Sequence, residues 1–140
     1  MAVVHVSDRD LKRGYRYHLQ AYQACPRPTN AHRLLLFYAI ECGLKAILLQ
    51  RRRCQATNEF PRIVELGHDL NKLLSELGIG TANPLRLPNS IKVKSKPPRQ
   101  PIDISGLHQV WRYGGKASDP PDDRLEQQLL KIIDWIQENI

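Results

Sequence analysis

The run Ala31–Arg53, AHRLLLFYAIECGLKAILLQRRR, limits what this chain can fold into more than any other stretch. Leu, Ala and Ile dominate it, Pro is absent and only Gly43 weakens it, so it predicts one long helix. Apolar residues fall on nearly every side of the helical wheel, so neighbours should surround this helix rather than cover one face. Arg33, Glu41 and Lys45 make it too polar to span a membrane. Its polar residues are ordered: Tyr38, Glu41 and Lys45 stand at i, i+3, i+7 and share one stripe. Glu41 and Lys45 also form an acid-then-base i, i+4 pair. Two readings of the stripe stand side by side. It is a partly solvated ion pair, or it faces a polar pocket or a partner subunit.

The flanking sequence supplies helices to surround this rod. Ser7 can cap a first helix, with Asp10 as the capping-box acid. Leu11, Tyr15, Leu19 and Tyr22 give that helix an apolar face, and Pro26 and Pro28 stop it. Thr29 or Asn30 caps the central helix. Residues 54–61 read as a loop. A third helix is expected within Arg62–Leu77, on the stripe Leu70, Leu73, Leu74 and Leu77. Gly67 can divide it, with the main part starting near His68 and Asp69, and Gly78 and Gly80 end it. Residues 79–103 are rich in Pro and basic, and are expected to be irregular. Ile91-Lys92-Val93-Lys94 can be a short strand or an extended arm, and we expect a mobile arm. A short fourth helix covers about Ile104–Tyr113 on Ile104, Leu107 and Trp111, closed by Gly114-Gly115. The last helix runs from about Pro121 to Asn139, with Asp119 as a possible cap and Asp122 and Asp123 at its positive end. Leu125, Leu129, Ile132, Ile136 and Ile140 should line its buried face, with Trp135 beside them. The expected fold is a single all-α domain over residues 1–140, an antiparallel bundle of four to five helices with a long basic loop before the fourth.

Charge narrows the partners. The chain carries 21 Lys and Arg against 14 Asp and Glu, a formal net charge of +7. The excess is local: residues 1–55 carry ten cations against three anions, and 91–118 six against one, while 119–140 carry two against six. A basic patch favours anionic partners, RNA above all. Arg51, Arg52 and Arg53 either settle the negative end of the central helix or contact phosphate, and Lys92, Lys94, Lys96 and Arg99 are further candidates for nucleic-acid contact. Cys25, Cys42 and Cys54 follow no metal-ligand spacing, which suggests reduced thiols. With no apolar leader in MAVVHVSDRD, a cytoplasmic location is expected.

The motifs of common chemistries are missing. There is no GxGxxG, no GxxxxGK[ST], no HExxH, no paired zinc ligands and no GxSxG, so neither a metal site nor a cofactor is expected. What remains is a sparse set of polar residues beside core signals: Glu41, Lys45, His68, Asp69, His108, Arg112 and Tyr113. His shuttles protons near neutral pH, and Arg holds a phosphate and its developing charge. His108 and Arg112, at i, i+4, could thus cleave RNA without metal; a structural role for His108, and for His68 beside Asp69, is the alternative.

Three segments, FYAIECGLKAILLQ, GHDLNKLLSEL and LHQVWRYGG, resemble the HEPN superfamily of helical domains. The matching motifs lie within Tyr38–Leu49, Gly67–Leu77 and Leu107–Gly115. The resemblance implies an antiparallel bundle that dimerises, with polar residues converging at the dimer cleft. It implies a setting in bacterial toxin–antitoxin, phage-defence or CRISPR-linked systems. Many members are metal-independent ribonucleases with a late Arg-x4-6-His motif. Here the late pair runs in reverse, His108 to Arg112, while Arg27–His32 is broken by Pro28 and Arg62–His68 sits in the wrong helix. The resemblance therefore carries Glu41, Lys45, His68, Asp69, Arg112 and Tyr113 over as a polar cluster, which Tyr38 joins by its place on the central-helix stripe. Three functions follow as expectations: a module that binds RNA or a nucleotide, an endoribonuclease using His108 and Arg112 with His68, or a subunit that grips a protein partner.

Overall fold

The computed structural model describes residues 4–140, and the architecture is all-α. Its helices are α1 (Asp8–Gln23), α2 (Asn30–Arg51), α3 (Arg62–Leu66), α4 (Leu70–Glu76), α5 (Leu107–Arg112) and α6 (Asp122–Asn139). The long apolar run folds as α2 and takes the centre, packing against α1, α4, α5 and α6. Leu36, Phe37, Ile40, Leu44 and Leu49 are fully buried, on different sides of the helix. That is what apolar residues all round a helix require.

Gly43 sits where α2 meets two neighbours at once. A Cβ there would stand 2.9 Å from Ile136 of α6 and 3.0 Å from the Tyr15 ring of α1. The residue that weakens helix propensity is thus the one that lets three helices close. Local signals hold at the helix starts. Ser7 accepts from the Asp10 amide at 3.0 Å and Asp10 accepts from the Ser7 amide at 3.1 Å, the reciprocal capping box. At Thr29 the amide donates to His32 Nδ1 at 3.1 Å.

Residues 62–77 divide as Gly67 suggests. Gly67 has φ +53° and ψ −127°, which lies in glycine's territory and turns the chain between α3 and α4. His68 falls in that turn. Asp69 caps α4, accepting from the Lys72 amide at 3.0 Å.

Residues 79–103 are mostly irregular, as expected, and are tied to the bundle at several points. Buried Asn71 donates to the Leu87 carbonyl and accepts from the Leu87 amide, both at 3.0 Å. Ile91 is fully buried and exchanges backbone hydrogen bonds with Ile102 at 2.8 and 2.9 Å. Within this segment β1 (Lys92–Val93) pairs antiparallel with β2 (Ala117–Asp119), and 80–84 and 96–101 are exposed throughout. Asp119 is therefore strand, opposite Lys92, and not the cap of α6. Asp122 ties that helix down instead. It accepts from Trp111 Nε1 at 2.8 Å, the Ala117 amide at 2.9 Å and Asn30 Nδ2 at 3.0 Å. Ile140, expected in the core, is exposed past the end of α6, and Ile133 is buried.

Candidate functional site

The stripe on α2 carries the site. Tyr38, Glu41 and Lys45 lie in line, each half-buried. Lys45 Nζ donates to Glu41 Oε2 at 3.1 Å, as the i, i+4 spacing predicts. The other carboxylate oxygen, Oε1, lies 2.6 Å from His68 Nδ1. Burial pushes the Glu41 carboxyl up, but the His68 hydrogen bond and the Lys45 charge outweigh it and hold the group below its ordinary value. Glu41 is then an ionised acceptor at neutral pH, so His68 Nδ1 carries the proton. His68 Nε2 is the nitrogen left for a ligand. The Gly67 turn presents this ring with 47% of the side chain exposed.

His108, from α5, lies beneath. Its ring centre is 4.2 Å from that of His68, and it stacks on Phe37 at 5.8 Å. Only 4% of His108 is exposed and its Nδ1 makes no hydrogen bond. Burial, then the His68 and Arg112 charges, push its pKa below the ordinary 6.5, so the ring is neutral at pH 7. Arg112, one turn along α5, donates to the Tyr38 hydroxyl and lies over the Tyr38 ring with its guanidinium carbon 5.9 Å from the centre. Hydrogen bonds to the Tyr38 and Tyr113 hydroxyls hold Arg112 in its charged form.

The strip therefore runs Lys45, Glu41, His68, His108, Arg112, Tyr38, drawn from three segments distant in sequence. His18 of α1 extends it, 5.9 Å from the Tyr38 ring. Sequence reasoning passed over His18, although it continues the Leu11, Tyr15 face at i+7. A cavity of about 460 Å³ opens beside Glu41, Lys45 and His68, walled by Val6, Leu11, Ile63 and Val64.

The remaining candidates lie elsewhere. The Asp69 carboxylate is occupied by its own helix. Arg51 reaches the Leu77 carbonyl and Asn139, and lies over Trp135; Arg52 pairs with Glu76 and lies over Phe60. Both are held by packing partners at the far end of α2, about 15 Å along the axis from Glu41 at the usual rise per residue. Arg53 is exposed. Lys94 and Arg99 line a separate groove that Tyr113 shares, and Lys92 and Lys96 are exposed nearby in sequence.

Among the described residues no three His, Cys, Asp or Glu side chains converge to hold a metal ion, and no helix is long and apolar enough to cross a membrane. All three cysteines are free thiols, and burial pushes that of Cys42 up to about 11. No family model, curated protein or solved structure matches the chain. The site defines itself by its chemistry alone: a carboxylate-held imidazole, exposed, beside a buried neutral imidazole and a guanidinium.

Proposed function

We propose that the chain is a HEPN-like helical module that acts on RNA, and that Glu41, His68 and Arg112 make it a metal-independent endoribonuclease. One observation carries this reading: the 2.6 Å contact between half-buried Glu41 and exposed His68, with Arg112 one helical turn beyond the neighbouring His108. Glu41 orients the ring and fixes the proton on Nδ1, so Nε2 is the base. It takes the proton of a ribose 2′-hydroxyl. The 2′-oxygen bonds to phosphorus, the P–O5′ bond breaks, and the 5′-oxygen leaves with a proton from solvent. The products are a 2′,3′-cyclic phosphate and a 5′-hydroxyl. Arg112 holds the phosphate and its developing charge. His108, neutral, backs the base without adding a second positive charge beside it.

The resemblance supplies Glu41, His68 and Arg112 from its three segments as members of a polar cluster; the late Arg-x4-6-His nuclease motif is absent here, so the cleavage step rests on the geometry alone. It also motivates a homodimer within a bacterial defence or toxin–antitoxin system, in the cytoplasm. The role of exposed catalytic group moves from His108 to His68, since His108 is enclosed. RNA incubated with the protein in EDTA should be cut, with cyclic-phosphate ends, and His68→Ala should abolish cutting. Intact RNA in every condition sinks the enzyme reading.

A binding module without cleavage is the second reading. It is favoured by the enclosure of His108, which keeps that imidazole from serving the leaving oxygen. It predicts RNA or nucleotide affinity that falls steeply with salt and no cutting.

A further inference from the structure

The strip is not the only place suited to RNA. On the other side of α5 a groove of about 440 Å³ runs between the β1–β2 corner and the helix. That volume lies in the range of small-ligand sites. Its floor is apolar, from Val93, Ile102 and Val110. Lys94 and Arg99 stand in its wall with no carboxylate among the lining residues. Gln100 and Gln109 also line it, and each brings both a donor and an acceptor. Tyr113 closes it, with 78% of its surface exposed although it is large and largely apolar.

Each feature has a match in one ligand. An exposed ring beside cations offers a base something to stack on, and stacking tolerates any base because every base has a π-face. Lys94 and Arg99 fit a phosphate on either side of that base. The glutamines fit base edges, which only a single strand presents freely. Arg112 precedes Tyr113 in the chain, so the groove adjoins the proposed reaction centre.

We infer that this groove is a single-nucleotide subsite, which holds a base of single-stranded RNA on Tyr113 and its phosphates on Lys94 and Arg99, next to the scissile step. The inference rests on the RNA-acting reading of the strip, yet the two can fail separately. The structure also explains why 91–103 is anchored rather than loose: the paired strands and the Ile91–Ile102 bridge hold Lys94 and the start of the Arg99 loop against α5.

The test uses a short fluorescent oligoribonucleotide with 2′-O-methyl groups, which cannot be cleaved, so binding is read by anisotropy apart from chemistry. Tyr113→Ala should weaken binding about tenfold and Tyr113→Phe should leave it within about twofold, since the ring and not the hydroxyl stacks. A Lys94→Ala, Arg99→Ala double variant should lower the salt slope by about 1.4, two charges at about 0.7 each for a single strand. Duplex RNA should compete poorly. All three positions are exposed, so the variants should keep the wild-type helical circular dichroism. Binding of this pattern without cleavage of ordinary RNA upholds the subsite and removes only the enzyme reading. Wild-type affinity in Tyr113→Ala, equal competition by duplex, or no binding at all overturns the subsite, even if RNA is still cut at His68.

Discussion

Two half-buried carboxylates, Glu41 on α2 and Glu126 packed against it, meet the same kinds of partner and come to different ends. Glu126, on α6, accepts from Arg33 Nε at 2.6 Å and from the Tyr22 hydroxyl. Arg33 is held in turn by Asn30 at 2.8 Å, and both charged side chains are largely covered. Burial, then Glu126, push the Tyr22 hydroxyl far above its ordinary value, so it stays a proton donor. Every group in that cluster faces inward and is spoken for. Glu41 also has two partners, Lys45 and His68, but one of them is nearly half exposed. The first cluster fastens α1, α2 and α6 together. The second holds a basic nitrogen ready at the surface. The chemistry is shared, and exposure of one partner separates a fastening from a site.

The widest separation between the two should come from His68→Ala. Activity should fall by about 10² to 10⁴, the usual worth of a positioned base, while urea denaturation shows a stability loss below about 1 kcal/mol. Glu126→Ala should do the reverse. It leaves Arg33 covered and unpaired and should cost about 3 kcal/mol, with cutting per folded molecule unchanged. A large activity loss there, at unchanged stability, would erase the distinction.

A smaller effect is expected where α2 crosses α1 and α6. Gly43→Val places side-chain atoms into Ile136 and the Tyr15 ring and should destabilise by about 2 kcal/mol, read from the urea midpoint. The smallest effects are in pH. The folded-state pKa of His108 is depressed, so the unfolded chain binds the extra proton; stability should fall as pH drops below 6.5, and His108→Leu should flatten that slope. Glu41 is depressed too. Its contribution is present above the ordinary 4.5 and is lost as pH falls through its lower folded value, so Glu41→Gln should remove a separate, more acidic loss.

The site was more legible in the sequence than the fastening. Tyr38, Glu41 and Lys45 share a stripe because helical period alone puts them there, and the Gly67 break next to His68 is a local signal. Glu126 lies 93 residues from Arg33 and 104 from Tyr22, and no local period joins them. Asp122 shows the same blindness. A first-turn acid reads as a dipole partner, yet its three hydrogen bonds reach α2, α5 and β2. A short strand at Ile91–Lys94 was one of two readings of the sequence and β1 lies within it; its partner β2 was illegible, because a three-residue strand is too short for alternation to register. The arginine run carried two readings, a helix-end role and a phosphate contact; Arg51 and Arg52 are exposed and also reach neighbouring groups, contacts no local charge signal foretells.

The most direct measurement is of the imidazole protons by NMR while a ribonucleoside 3′-monophosphate is added in EDTA. His68 and His108 should shift together and saturably, and His68→Ala or Arg112→Ala should abolish the response. His5, bonded to Thr57, and His32, at the start of α2, should stay in place. If all five histidines drift alike, or none moves, the strip on α2 is one more structural fastening.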